Sequence, residues 1–263
     1  MKKIKFFAYD DAKLNEFNAH DFMGIARNLG FEVVAEVDNA DFVVVLGGDG
    51  TMLAAARQVA HKGTPILGIN HGKIGYLTDV EAAFGEVSLK KLFDENYRIE
   101  TRMMISGKVM NSNVEILCLN DITIHRGNGS RPIHLQMSIN DEYINDFYAD
   151  GMLIATPTGS TAYNLSAGGP LLKPDAKMIA ITPICPQSLS GRPAVVASDD
   201  VISILIKDAK SAVIAADGEV INFEEKHADL EIEIRASRHV TNIVKTHNLG
   251  FYEVFRSKMK KLI

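Results

Sequence analysis

The chain has 263 residues, enough for one large domain or two ordinary ones with a sizeable core. A formal net charge of −5 argues against a dedicated nucleic-acid binder, which carries a basic face. No run reaches the ~18 apolar residues of a membrane span. Cys118 and Cys185 stand far apart and outside any C-x-x-C, which suits free thiols in the reducing cytoplasm.

Met1 to Ala8 begins as a signal peptide does, but the apolar run stops at Tyr9-Asp10-Asp11, too short for one. Ile4 to Tyr9 reads as a first strand. A helix follows from about Asp11 to Leu29, with Phe22, Ile25, Ala26 and Leu29 on one face and Gly30 where a C-cap glycine belongs. Phe31 to Val37 reads as a second strand. Phe42-Val43-Val44-Val45-Leu46 reads as a third, apolar on both faces as in a buried parallel sheet.

The turn after that strand is Gly47-Gly48-Asp49-Gly50-Thr51. Its glycines let a ligand approach the backbone, and amides at a helix start favour phosphate oxygens. Alone, the turn favours a phosphate or nucleotide site over a plain strand-to-helix connection with Asp49 as the cap, which it also fits. No G-K-[ST] follows, so it is not a P-loop. The helix beyond it ends near His61, closed by Gly63. Pro65 to Ile69 is a fourth strand, leading into a second glycine loop, Asn70 to Leu77, in which His71 and Lys73 are candidate phosphate contacts. A short helix covers Val87 to Asp94. This order implies an open parallel sheet, whose ligands sit beyond the carboxyl ends of the strands.

From Arg98 the texture changes to short β-type runs with turn pairs between some of them, such as Asn111-Ser112 and Asn140-Asp141. The runs are Ile105–Val109, Val114–Leu119, Ile122–His125, His134–Ile139, Ala194–Ala197, Val201–Ile206, Val213–Ala216 and Leu230–Ile234. His125, Arg126 and Arg131 read as a solvated basic face, and Asp217-Gly218-Glu219 as a hairpin turn. One segment interrupts the pattern. The strand Met152–Ala155 runs into Thr156-Pro157-Thr158-Gly159-Ser160-Thr161, a turn crowded with hydroxyls and amides, and then into one or two helical turns before Gly168-Gly169-Pro170. Such a turn suits phosphate or ribose, and two anion-friendly turns in two domains suggest a cleft between them. The tail from Gly250 is a helix with Phe251, Val254, Phe255, Met259 and Leu262 in a stripe.

The expected architecture is therefore α/β plus all-β. Residues 1–100 form an N-terminal open parallel α/β sheet domain, with the helix at 249–263 packing back on it. Residues 101–248 form a second, antiparallel β-sandwich-like domain.

Together, Gly47-Gly48-Asp49-Gly50-Thr51, Leu119-Asn120-Asp121, Asp150-Gly151, the run Thr156 to Tyr163, and Thr182 to Pro193 resemble the NAD kinases, in that family's order. The first turn is unspecific, since lipid kinases and phosphofructokinases carry similar ones. The resemblance implies transfer of the γ-phosphoryl of ATP to the 2′-hydroxyl of the adenosine ribose of NAD. It also implies Mg²⁺ or another divalent cation and a homo-oligomer, dimer or tetramer, with no nucleic-acid or membrane partner. It makes Asp49 the general base. It places NAD on Asp49, Gly50, Asn120, Asp121, Tyr148, Asp150, Thr158, Thr161, Ala162, Tyr163, Asn164, Leu165, Ser166 and Glu219. Gly47, Gly48, Thr51 and Arg57 are candidates for the ATP phosphates. The chain departs from the family pattern at Tyr148, where a basic residue is common, and at Glu219, where Gln is usual. A lipid kinase sharing the first turn and a non-catalytic NAD(P) sensor are the rival readings.

Overall fold

The computed structural model describes residues 1–9, 19–70, 75–78, 80–128, 130–188, 191–207, 209, 212–222, 229–247 and 249–259. The first part of the helix expected from Asp11, the loop residues His71 and Lys73, and Leu262 lie outside them. The chain divides into two compact units, Met1–Arg102 with His239–Ile263, and Met103–Arg238.

The first unit opens with β1 (Lys3–Phe7), α1 (Ala19–Leu29), β2 (Glu32–Val33), β3 (Phe42–Leu46), α2 (Asp49–Val59), β4 (Ile66–Asn70), β5 (Val80–Glu81) and α3 (Gly85–Phe93). The strands are parallel in the order β5-β4-β3-β1-β2. Val43, Val44 and Val45 are fully buried, which is why β3 reads as an unbroken apolar run. Phe22 and Ala26 of α1 enter the core with Leu89 and Leu92 of α3. Gly30 closes α1 at φ +100, its N–H donating to Arg27 O at 3.0 Å, and Gly63 at φ +67 bonds Val59 O after α2. The second strand is shorter than its composition suggests: only Glu32–Val33 pairs, and Val37–Asn39 is a 3₁₀ turn. Among the described residues it is the edge strand of the sheet, paired only with β1.

β6 (Arg98–Val109) leads into the second unit. There follow β7 (Glu115–Cys118), β8 (Asp121–His125), β9 (Ile133–Ile139), β10 (Glu142–Ala149), β11 (Gly151–Ala155), the short helix α4 (Tyr163–Ser166), β12 (Met178–Ile184), β13 (Ala194–Ala197), β14 (Ile202–Lys207), β15 (Val213–Ala216), β16 (Glu219–Val220) and β17 (Leu230–Lys245), then α5 (Phe251–Met259). Two antiparallel layers result. One orders β10-β9-β14-β17 and the other β13-β12-β11-β8-β15-β16. One core joins them: Ile202, Ile204, Ile206, Ile232 and Ile234 from the first meet Ile122, Ile124, Ile154, Ile181 and Ile214 from the second.

Two strands lack a period-2 signal in the sequence. β10 begins with exposed residues and forms because Asn140 and Asp141, at φ +50 and +66, close a tight hairpin with β9. β12 contains Pro183, which argues against a strand. Its pairs with β13 end at Ile181↔Ala194, so Pro183 faces only β11 and no donor is missed on the other side. The run seen at Leu230 to Ile234 is the start of a 16-residue strand. β17 pairs with β14 in the second unit, and its Ile243 lies parallel to Ile66 of β4 in the first. In the first unit, α5 sets Lys258 Nζ 5.1 Å from the centre of the Tyr76 ring.

Candidate active site

In the first unit, the carboxyl ends of β3 and β4 lie side by side, since Leu46 pairs with Ile69. Asp49 is the first residue of α2, so it is not the helix cap; Gly48 holds that place and offers no side chain. The Asp49 carboxylate instead turns to the loop beyond β4. Oδ1 accepts the N–H groups of Leu77 at 3.0 Å and Thr78 at 3.1 Å, and the Thr78 hydroxyl at 3.2 Å. Oδ2 accepts the Tyr76 N–H at 2.8 Å. A carboxylate oxygen accepts about two bonds comfortably. Oδ1 is therefore filled, and Oδ2 keeps one position among the described residues.

The glycines explain how the acid is held. A Cβ on Gly75 would lie 1.9 Å from Asp49 Oδ1, and one on Gly47 would lie 2.3 Å from Thr51 Oγ1. The Gly47 N–H donates to Ile69 O at 3.0 Å, so it is a sheet bond and no phosphate donor, which corrects the expectation for that amide. The amides of Gly50 and Thr51 precede the first intrahelical bond, from Met52 N–H to Gly48 O at 3.1 Å, and point as anion-binding amides do. Thr51 is buried. Arg57 stands in the last turn of α2, about 12 Å along its axis from Asp49 and away from the glycine turn. Burial pushes the Tyr76 phenol up, and the Asp49 charge adds to this, so that side chain stays neutral.

In the second unit, three loops form one hydrogen-bonded cluster. Thr156 donates its N–H to Asn120 O at 2.8 Å and its hydroxyl to Leu119 O at 2.6 Å, while Thr156 Oγ1 accepts the Gly159 N–H at 3.1 Å. Gly159 must be glycine, since a Cβ would meet Asn120 O at 2.2 Å. The Ser160 hydroxyl donates to Pro157 O and accepts from Leu172 N–H, and Thr161 donates to Thr158 O. Several hydroxyls that suggested ligand contacts thus hold the turn itself. Asn164 is the clearest case. It is fully buried, gives its Nδ2 to Pro170 O at 3.0 Å, and accepts the Thr182 hydroxyl at 2.7 Å. Asn164→Ala is expected to cost about 2–4 kcal/mol of stability, read as a lower urea midpoint with an unchanged slope. An unchanged midpoint would show that the amide carries no structural load.

The residues left to face a ligand are fewer. Tyr163 and Ser166 are exposed, and Thr161, Ala162 and Leu165 are half-buried, whereas Thr158 is buried. Asn120 Oδ1 is buried with no hydrogen-bond partner among the described residues. Glu219 is exposed on β16. Tyr148 lies on β10 and stacks on His134 with ring centres 4.4 Å apart.

Arg126 is the residue that sequence reasoning passed over. Gly151 pairs with His125, so Asp150 comes beside Arg126, whose Nε lies 2.9 Å from Asp150 Oδ1. Both line a cavity of about 320 Å³ with Thr123, His125, Tyr163 and Ile184. The pairing arises from antiparallel register between distant segments, and no local pattern announces it.

Asp121 is buried, and its pKa is pushed up to about 6 from 3.8, first by burial and then by the Asp217 charge, against the stabilising Thr123 hydroxyl. The folded chain holds this proton more tightly than the unfolded chain does. The stability it supplies is therefore present below about pH 4 and is lost as pH rises to about 6. Asp121→Asn is expected to stabilise the protein at pH 7.5 by on the order of 2–3 kcal/mol and to leave it nearly unchanged at the acidic end. Thermal melts at pH 4 and 7.5 check this; a gain equal at both values would contradict a buried charge.

A parallel α/β unit with a second, antiparallel unit is the fold shared with solved kinases named for nicotinamide dinucleotides. The yeast NADH kinase in complex with NADH superposes with a TM-score of 0.80 at 25% identity, covering 97% of this chain and 86% of that one. An NAD kinase from Archaeoglobus fulgidus in complex with ATP gives 0.80 at 26% identity, covering 99% of each. The ATP-NAD kinase N-terminal domain family matches residues 26–97, and the C-terminal domain family residues 119–246. An NAD kinase of Caldanaerobacter subterraneus subsp. tengcongensis is 41% identical over 244 residues, 89% of this chain and 86% of its own length. The chain belongs to the NAD kinase family.

Proposed function

We propose that Asp49 is the general base of this chain's reaction and that the second unit's turns hold the dinucleotide. As an NAD kinase, the chain is a phosphotransferase that makes NADP from NAD and ATP. A bond forms between the ribose 2′-oxygen and the γ-phosphorus, the bond from that phosphorus to the β,γ-bridging oxygen breaks, ADP leaves, and the hydroxyl proton passes to Asp49 Oδ2. The observation that carries this is the asymmetry of the Asp49 carboxylate. One oxygen accepts three bonds from the loop after β4, and the other accepts one and keeps a position among the described residues. Fixing the base removes the need to orient it during the reaction.

On the dinucleotide side, the buried Oδ1 of Asn120 is an acceptor suited to a ribose hydroxyl, and the ionised Asp121 is a stronger one. Asp150, Thr161, Ala162, Tyr163, Leu165 and Ser166 would complete the contact. Among the described residues no three His, Cys, Asp or Glu side chains converge to hold a metal ion. In this reading the divalent cation arrives on the triphosphate, whose charge it neutralises. Among the described residues no helix is long and apolar enough to cross a membrane. Two lone cysteines outside any C-x-x-C suit the reducing cytoplasm, and the family reading makes the protein a homo-oligomer.

A lipid kinase sharing only the first turn would leave the second unit unmatched, yet residues 119–246 match the NAD kinase C-terminal domain. The deciding experiment supplies NAD, ATP and Mg²⁺ and measures NADP with a coupled dehydrogenase. NADP formation supports the reading. Binding of NAD without turnover would make the chain a sensor.

A further inference from the structure

We propose that Asp217, at the turn between β15 and β16, is a positioning residue that sets the bend presenting Asn120 and Asp121 to the dinucleotide. The proposal rests on the reading of the second unit as the NAD-binding part. The sequence reads Asp217-Gly218 as a two-residue hairpin turn, and the backbone agrees: φ is +49 at Asp217 and +83 at Gly218, between the paired Ala216 and Glu219. A turn needs only a residue that tolerates this conformation. The Asp217 carboxylate does something else. Its Oδ2 accepts the Leu119 N–H at 3.1 Å, and its Oδ1 accepts the N–H groups of Asn120 at 2.7 Å and Asp121 at 3.3 Å. Three successive amides therefore point at one charge, as around an anion in a backbone nest. The Asp217 N–H returns a bond to Asp121 O at 3.0 Å.

The bend so fixed carries the next loop. The carbonyls of Leu119 and Asn120 receive both donors of Thr156, which in turn holds the Gly159 amide. Asp217 is thus linked through Leu119 and Asn120 to Thr156 and the hydroxyl-rich turn. Its charge also acts on Asp121. From the β15–β16 turn it is the charged group that raises the Asp121 carboxyl, while Thr123 on the same strand opposes it and Ala155 faces it from β11.

The test uses the full chain with Asp217→Asn as the main variant, because Asn tolerates a left-handed backbone as Asp does. Asn keeps one acceptor but turns an NH₂ toward the remaining amide. KM for NAD and KM for ATP are measured separately, with kcat/KM for NAD followed from pH 5 to 8. We expect KM for NAD to rise at least about threefold, KM for ATP to stay within about twofold, and Asp217→Ala to be worse for NAD than Asn. We also expect the acidic fall of kcat/KM to move to lower pH in Asp217→Asn, since the charge that raises Asp121 is gone. A purely structural loosening would raise both KM values and leave the acidic limb in place, and that result overturns the proposal. So does an unchanged KM for NAD. If the wild type forms no NADP and binds no NAD, the functional reading fails first and takes this proposal with it.

Discussion

Replacing Asp49 by Asn is expected to lower kcat for NADP formation by about 10²- to 10⁴-fold. The amide is isosteric, and with its oxygen in the Oδ1 place it still accepts the Leu77 and Thr78 N–H groups, so most of the loop's anchoring is kept while the Tyr76 N–H loses its acceptor. What disappears is the acceptor on the second oxygen. kcat should therefore fall much more than either KM rises, the signature of an interaction made in the transition state. Steady-state kinetics with NAD and ATP varied in turn give the answer. Retention of more than about a third of wild-type kcat would remove Asp49 from the base role. It would leave the carboxylate a structural acid that happens to tie two loops.

Gly75→Ala is expected to reduce kcat by roughly 10²-fold without changing any group that takes part in the chemistry. The added Cβ would sit 1.9 Å from Asp49 Oδ1 and 2.4 Å from Thr78 Oγ1, distances no real structure holds. The carboxylate must turn out of its cradle or the loop must lift. Neither movement disturbs the β1, β3 and β4 side chains of the core, so the melting temperature should move by only a few degrees. The double variant Asp49→Asn/Gly75→Ala separates this from general damage. If the glycine acts through the acid, the pair should be scarcely worse than Asp49→Asn alone. Fully multiplicative losses would mean that Gly75 acts elsewhere.

The two effects arise at different depths of the sequence. Asp49 stands out in the sequence because it lies among three glycines between an apolar run and a helix former, and the family resemblance is what marks it as the base. Gly75 is legible only as a glycine; that its missing side chain makes room for Asp49 depends on two loops, 26 residues apart, meeting at the ends of adjacent parallel strands. The same holds in the second unit. The Thr156 to Thr161 turn stands out by its hydroxyls, yet which hydroxyls are spent on the fold and which remain for a ligand follows from the partners at Leu119, Leu172 and Thr182. Asn164, expected among the ligand contacts, is also a buried brace between Pro170 and Thr182. Arg126 looked like a solvated base and is the partner of Asp150.

Local patterns were decisive wherever the physics is local. The buried valines of β3, the C-cap glycines at 30 and 63, the tight turns at Asn140-Asp141 and Asp217-Gly218, and the family motifs all act over a few residues. Strand length and existence were decided by neighbours. β10 and β12 form because a partner ladder satisfies their amides, and β17 continues for 16 residues because strands lie beside both of its ends. So the residue sequence by itself determined the two kinds of unit and the family, and it singled out the glycine turn that carries Asp49. Only the tertiary structure decided how that acid is oriented and which polar groups remain to be used. A hydrogen bond between distant segments leaves no trace in composition or period, because its energy depends on where the chain brings two groups together.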